Sequence, residues 1–241
     1  MKQETAELVN AAVPLALRDV ACVRAEGGSV RSASAGFASG RFHILRGDAD
    51  GGRDLLLRLI GLLQPPDEGE VVVLGHATRA LAEDARAELR TQRFGFVFAA
   101  PFLLTSFSVI ENVAMPLFKI SQVSPEEARR RTDALLGFVG LADAAEAAVD
   151  ELTQRAQYQV AVARGLVNEP SFLIVEQLDG ALAGEDLRGF VDVLHRACET
   201  FGTTIIATAS PAVPVAAGDR VLEIADGKIV FDSELLPEIE G

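Results

Sequence analysis

The stretch Gly47-Asp48-Ala49-Asp50-Gly51-Gly52 constrains the fold of this chain more than any other. A short apolar run, Phe42 to Arg46, leads into it. A helical run, Arg53 to about Leu63, leads out and stops at Pro65 and Pro66. A strand, a glycine-rich turn and a helix start make an anion site, because backbone N–H groups converge and the helix dipole adds positive potential. The functional pattern is GxxxxGK[ST], in which the lysine reaches the terminal phosphates and the hydroxyl binds magnesium. Here Gly47 to Asp54 reads GDADGGRD. Gly47 and Gly52 keep the spacing, Arg53 stands at the lysine position and Asp54 at the hydroxyl position. Taken alone, the broken pattern fits a ligand-free glycine turn better than a phosphate loop, so the segments around it must decide.

Those segments alternate in type. Leu15 to Val23, Glu70 to Leu74, Phe94 to Phe98, Phe172 to Val175 and Thr203 to Ala207 read as strands. Gly27 to Gly40 reads as a weak hairpin or loops, and Thr78 to Arg90, Gln154 to Val167 and Glu185 to Glu199 as helices. From Ser106 to about Val149 nearly every signal is helical, including the capping patterns Ser108-x-x-Glu111 and Ser124-Pro125-Glu126-Glu127. Asp226-Gly227 marks the turn of a closing hairpin. Alternating strands and helices imply a mainly parallel sheet. The expected organisation is one α/β domain over 1–241. Residues 1–10 form a tail, 11–99 and 153–241 an α/β core with a β subdomain, and 100–152 an inserted helical subdomain.

Charge bears directly on the loop. The net charge is -13, which argues against nucleic acid as a partner, since that binding neutralises phosphates with Lys and Arg. Asp48, Asp50 and Asp54 bring three carboxylates to a turn suited to a polyanion. Like charges a few ångströms apart cost on the order of 1 kcal/mol each, even in a water-like dielectric. Cys22 and Cys198 lie in apolar stretches without metal-ligand spacing and read as buried hydrophobes. No apolar run reaches the ~18 residues of a membrane span, and the N-terminus does not read as a signal peptide. The expected location is the cytoplasm.

With the downstream segments added, nearly the whole chain, Leu15 to Phe231, resembles the nucleotide-binding subunits of ATP-binding cassette (ABC) transporters. The branch serving lipoprotein release and macrolide efflux is the most similar. Phe94-Gly95-Phe96-Val97-Phe98, Leu103-Leu104 and Val109-Ile110-Glu111-Asn112-Val113 resemble its Q-loop stretch. Val160 to Leu166 resembles the helix after the signature, Gly180-Ala181-Leu182 the approach to the D-loop, and Asp219-Arg220-Val221 with Asp226 to Val230 the closing hairpin. The resemblance implies a phosphate-loop NTPase fold: a mainly parallel core, an antiparallel β subdomain and an inserted helical subdomain.

Against the family pattern, the chemistry-bearing positions depart. The Q-loop glutamine is Ala99. The signature LSGGQ reads Leu152-Thr153-Gln154-Arg155-Ala156. The Walker B aspartate aligns with Glu176, and the catalytic glutamate with Gln177, which cannot serve as a general base. The D-loop aspartate is Ala183 and the switch histidine Ala209. The adenine-stacking aromatic residue near Val23 to Ala25 is absent. The degenerate nucleotide site would comprise Gly47, Asp48, Ala49, Asp50, Gly51, Gly52, Arg53, Asp54 and Glu176, with Thr153, Gln154, Arg155 and Ala156 from the signature. The expectation is a non-hydrolysing structural or regulatory subunit with no cofactor and no metal. The alternative is an ATP-binding, slowly hydrolysing subunit with magnesium on Asp54 or Glu176.

The resemblance also implies partners: a transmembrane permease subunit, and a second nucleotide-binding subunit in a homodimer or heterodimer. The chain would then sit peripherally on the inner face of the plasma membrane. Phe102, Leu103, Leu104, Phe107, Val109, Val113, Met115, Leu117 and Phe118 surround the region where the family receives its membrane partner. They divide between lobe core and docking face in a way the sequence leaves open.

Overall fold

The computed structural model describes residues 13–24, 28–121, 123–213 and 215–234. The expected tail, residues 1–10, lies outside them. A six-stranded sheet carries the core, in the order β10-β9-β3-β8-β7-β6. These strands are β3 (Phe42–Arg46), β6 (Phe94–Val97), β7 (Phe172–Val175), β8 (Thr204–Ala209), β9 (Arg220–Ala225) and β10 (Lys228–Asp232). Pairing is parallel throughout except for the antiparallel β9–β10 hairpin. A second, antiparallel sheet has the order β2-β1-β4-β5, from β1 (Leu15–Val23), β2 (Ser29–Phe37), β4 (Glu68–Val73) and β5 (His76–Ala77).

Why β7 and β8 read as unbroken apolar runs is clear from their surroundings: every residue of both is buried. A parallel sheet covered on both faces has no polar side. On one face Ile44, Leu173, Val175, Ile205 and Ala207 pack with α5 (Gln154–Leu166) and α6 (Gly184–Phe201). On the other, Leu45, Phe172, Ile174 and Ile206 pack with α1 (Arg53–Ile60) and the antiparallel sheet. Successive residues of one strand thus feed opposite cores, as strand geometry requires, and each fully buried Leu, Ile or Phe contributes about 1.5–3 kcal/mol. Gly95 of β6 lets α5 lie against the strand, since a Cβ there would collide with the carbonyl oxygen of Gly165.

Two local expectations are corrected. Gly27 to Gly40, read as a weak hairpin or loops, holds the nine-residue strand β2, which pairs with β1 through register shifts. Its Ser, Ala and Gly residues have little β propensity, and cross-strand partners override that weakness. The helix expected from Thr78 begins only at Glu83, as α2 (Glu83–Arg93). Thr78 is instead tied to β4, its N–H and hydroxyl both bonding to Val71 O.

Between β6 and α5 lie α3 (Val109–Pro116) and α4 (Pro125–Val139). Ser108 and Glu111 form a reciprocal capping box at α3. Ser124 caps α4, which opens with Pro125 and ends at Gly140 in left-handed conformation. Val109, Val113 and Leu117 point into the core, whereas Phe102 is 69% and Phe118 54% exposed. Leu104 and Phe107 are exposed as well. The apolar set read from the sequence therefore splits into lobe core and an exposed rim. Both cysteines are buried.

His195 on α6 ties that helix to the loop before β9. Its Nε2 lies 2.8 Å from Asp219 Oδ1. Asp219 Oδ2 in turn accepts the Ala216 N–H at 2.8 Å. The hydrogen bond to Asp219 raises the imidazole's pKa above its ordinary value, against a smaller opposing effect of burial. A raised folded-state pKa means the tie's contribution is complete below about pH 6.5 and is lost as pH rises through the folded value. Unfolding free energy measured from pH 6 to pH 8 is expected to fall with this ionisation in the native chain. In His195→Gln that slope should flatten; an unchanged slope would contradict the assignment.

Candidate functional site

The carboxyl ends of β3, β8 and β7 converge on one crevice, the usual place for a ligand in an open α/β sheet. The turn from Gly47 to Gly52 links β3 to α1 across it. Gly47 has φ 138° and Gly52 φ 94°, both in the region that favours glycine. Neither position has room for a side chain. A Cβ on Gly47 would strike Ile224 O of β9, and one on Gly52 would strike Ser29 O of β2. The Gly227 N–H donates to Gly51 O at 2.9 Å, and Gly51 N–H to Asp48 O at 3.0 Å, closing a short 3-10 turn over Ala49–Gly51. The loop is thus wedged between the closing hairpin and the antiparallel sheet.

At the start of α1 the first intrahelical bond is Leu56 N–H to Gly52 O, 2.9 Å. The amides of Arg53, Asp54 and Leu55 precede any intrahelical acceptor, so the helix end keeps its capacity for an anion. Arg53 does not reach outward. Its Nη1 donates to Gly47 O and to Ala209 O, each at 2.8 Å, and its Nε to Asp54 Oδ1 at 3.0 Å. The residue is only 7% exposed. Asp54 also accepts from Gln177 Nε2 at 3.3 Å. Gln177 sits at φ 49°, a costly conformation for a side-chain-bearing residue, and Thr208 Oγ1 holds its N–H at 2.8 Å.

Glu176 leaves the end of β7 with its N–H on Val97 O at 2.8 Å. One carboxylate oxygen faces the Ala99 N–H at 3.4 Å, and the other lies 3.9 Å from Arg58 Nε. Ala99 contributes backbone alone, its carbonyl accepting the Tyr158 hydroxyl. Ala209 likewise offers only its carbonyl. Gly47, Arg53, Asp54, Gln177 and Ala209 form one bonded cluster, with Glu176 and Ala99 as a second pair beside it. Asp48 and Asp50 are exposed and line an adjoining cavity of about 990 Å³ with Arg46, Glu223 and Asp226.

The signature segment stands apart from this cluster. Thr153 caps α5, accepting the Ala156 N–H at 3.3 Å. Gln154 is exposed. Arg155 lies over Gly189 of α6, with Nη1 3.7 Å from Asp186 Oδ1. Among the described residues no hydrogen bond or ion pair joins residues 153–156 to the loop. Ala183 is the N-cap of α6 and makes no side-chain cap, a place where aspartate would be favoured. Val23 is exposed; Ala25 lies outside the described residues.

Sequence reasoning passed over Asp179 and Ser210. The Asp179 carboxylate accepts the Ser210 N–H at 3.1 Å and the Ser210 hydroxyl, joining the segment after β7 to the end of β8. Burial raises its pKa. The Ser210 hydrogen bonds, with help from the Arg53 charge, outweigh burial and hold it below the usual carboxylate range. Only a carboxylate two residues after Gln177, with a hydroxyl just past β8, hinted at the contact.

The residues fit a nucleotide with magnesium. Left-handed glycines leave the loop backbone bare, the α1 amides are available, and Asp54 and Glu176 carry carboxylate oxygens of the kind magnesium accepts alongside phosphate. No cluster of three or more His, Cys, Asp or Glu side chains suited to a metal alone occurs among the described residues. No helix among them is long and apolar enough to cross a membrane.

Comparison with known proteins agrees with this geometry. The family model described as ABC transporter matches residues 30–178. The lipoprotein-releasing system ATP-binding protein LolD of Paramagnetospirillum magneticum is 36% identical over 202 residues, covering 83% of this chain and 88% of its own length. LolD of Pseudomonas fluorescens is 34% identical over 184 residues, covering 76% and 81%. The ATP-binding cassette MJ0796, solved as a dimer in a post-hydrolysis state bound to ADP and Pi, superposes with TM-score 0.79 at 26% identity. That match covers 92% of this chain and 99% of MJ0796. The cassette cbiO1 of Clostridium perfringens shares the fold, with TM-score 0.83 at 20% identity over 92% of this chain and 88% of its own.

The expectation of a chain without a cofactor is corrected by these findings. The relatives are ATP-binding proteins, and a cassette of the same fold holds ADP and Pi. Physically, the carboxylates that weighed against a polyanion are partly spoken for or displaced: Asp54 is paired with Arg53, while Asp48 and Asp50 are exposed and face an open cavity. With the phosphate-loop geometry, the sheet order and the family model in agreement, the chain belongs to the ABC transporter family as an ATP-binding cassette.

Proposed function

We propose that this chain is the ATP-binding subunit of an ABC-type transport complex, and that it holds ATP with magnesium without hydrolysing it efficiently. Its role is then structural or regulatory: nucleotide occupancy, rather than turnover, sets its state. One observation carries the reading. Where a water nucleophile would need a general base, the chain has Gln177, whose amide is hydrogen-bonded to Asp54.

The loop amides at the start of α1 would receive phosphate, and Asp54 and Glu176 would supply oxygen to magnesium. The bound ion would neutralise phosphate charge. The chain's own groups do less than the family chemistry asks. An amide cannot accept a proton from water at neutral pH. Ala209 has no side chain with which to stabilise developing charge, and Ala99 none to bond the metal's water shell. Losing a general base alone typically costs 10²–10⁴-fold.

The partner in this reading is a transmembrane permease subunit. It would meet the exposed rim of Phe102, Leu104, Phe107 and Phe118, next to the stacked rings of Phe96 and Phe98, 5.6 Å apart. A second nucleotide-binding subunit, the same chain or a related one, would complete the pair. Both arrangements put the chain on the inner face of the plasma membrane.

Titrating the purified chain with Mg-ATP should raise its melting temperature in a saturable way, because a ligand that binds only the folded state adds RT ln(1 + [L]/Kd). Absence of any shift at millimolar Mg-ATP would contradict the binding half of the proposal. For the other half, Gln177→Glu should increase phosphate release yet stay below about 1 s⁻¹, the low end of ordinary enzyme turnover. Ordinary turnover restored by that single change would show that Ala99 and Ala209 are not deficits.

A further inference from the structure

We infer that the face this chain offers its partner is preset: Tyr158, Arg164 and Asn112 hold the segment from Ala99 to Phe107 in one shape, the same with nucleotide as without it. The inference rests on the nucleotide and partner readings above and adds how the two sites relate.

Residues 99–107 run from β6 toward α3 without regular secondary structure. Phe102, Leu104 and Phe107 are exposed, and Phe102 sits at φ 46°, a strained conformation for a residue with a side chain. No strand ladder fixes such a segment, so its backbone groups must find partners elsewhere.

Two helices supply them. From α5, Tyr158 donates its hydroxyl to Ala99 O. Arg164, also on α5, donates from Nη2 to Pro101 O at 2.6 Å and from Nη1 to Phe102 O at 2.9 Å. From α3, Asn112 Oδ1 accepts the Leu104 N–H at 2.8 Å, and Nδ2 donates to Leu104 O at 3.0 Å and Phe107 O at 3.3 Å. Asn112 is 0% and Tyr158 4% exposed, and the Tyr158 ring packs edge-on against Phe190 of α6. Buried groups hold such bonds firmly, because breaking one leaves a polar atom without a partner.

Six side-chain bonds therefore tie the segment to α5 and α3. Among the described residues its one hydrogen bond toward the nucleotide site is Ala99 N–H to Glu176 Oε2, at 3.4 Å, beyond the usual range for N–H···O. Were Glu176 to turn toward magnesium, that bond would be lost and the six would remain. Ala99 has no longer side chain to carry a change across. A ligand moves an equilibrium only by its differential interaction with the two states, and here it has little hold on the segment. Nucleotide occupancy is then felt at the loop and by a second subunit, while the rim of Phe102, Leu104 and Phe107 stays constant. Tyr158, Arg164 and Asn112 are positioning residues for that rim.

Chymotrypsin serves as the probe, because cleavage after Phe102 or Phe107 requires the segment to open locally. Cleavage sites and rates are read by mass in the native chain, Tyr158→Phe and Arg164→Met, each with and without saturating Mg-ATP, while melting temperature reports binding. Mg-ATP should leave the native rate at these two sites within about two-fold. Both variants should be cut there about ten-fold faster or more, with no added response to Mg-ATP. Rates after Phe118 and Phe201, exposed but outside the segment, should not change. A ten-fold response of the native chain to Mg-ATP would overturn the preset face. So would variants cut at the native rate, or variants cut faster at Phe118 and Phe201 to the same degree. If Mg-ATP raises no melting temperature, the nucleotide reading fails, and the variants alone decide whether α5 fixes the segment. Should Arg164→Met fail to fold, Tyr158→Phe, which loses only the hydroxyl, carries the test.

Discussion

A loop that must turn from β3 into α1 with no room for side chains at Gly47 or Gly52 is the constraint on which the remaining geometry depends. Each glycine faces a backbone carbonyl, one from β9 and one from β2. The loop therefore touches both sheets, and the closing hairpin and the antiparallel sheet together set its path. That contact brings the start of α1, the end of β7 and the end of β8 to one point. A side chain at either glycine would push the two sheets apart, not merely strain a turn.

Within this frame the polar groups satisfy one another. Arg53 serves two carbonyls and Asp54, Asp54 serves Gln177, and Asp179 takes both donors of Ser210. A buried network is favourable only when its members are paired, and here Arg53 Nε and Nη1, Asp54 and Asp179 find their partners within the chain. In the proposed reading this leaves the site few groups free to act on water.

Much of the fold could be read directly from the residues. Phe172 to Val175 is apolar throughout because both faces of its strand are covered. Asp226 and Gly227 both adopt positive φ, as the hairpin turn they signalled demands. Ser124 and Pro125 start a helix where expected. The strand from Ser29 to Phe37 was not legible, since its stability comes from pairing with β1, a partner that composition does not reveal. The site was legible as a set of positions but not as a set of bonds. The spacing puts Arg53 at the lysine position of the loop; the bonds it makes depend on two strand-end carbonyls, one of them 156 residues away in sequence. Likewise Asp179, Ser210 and Tyr158 gain their roles only once β7, β8 and α5 are side by side.

The most direct measurement of the central claim follows the phosphorus resonances of Mg-ATP mixed with an equimolar amount of the native chain. The account predicts γ-phosphate signals shifted by binding that persist for many minutes, with inorganic phosphate accumulating far more slowly than about one turnover per second. Rapid conversion to bound ADP and free phosphate, abolished when Glu176 is changed to Gln, would contradict it.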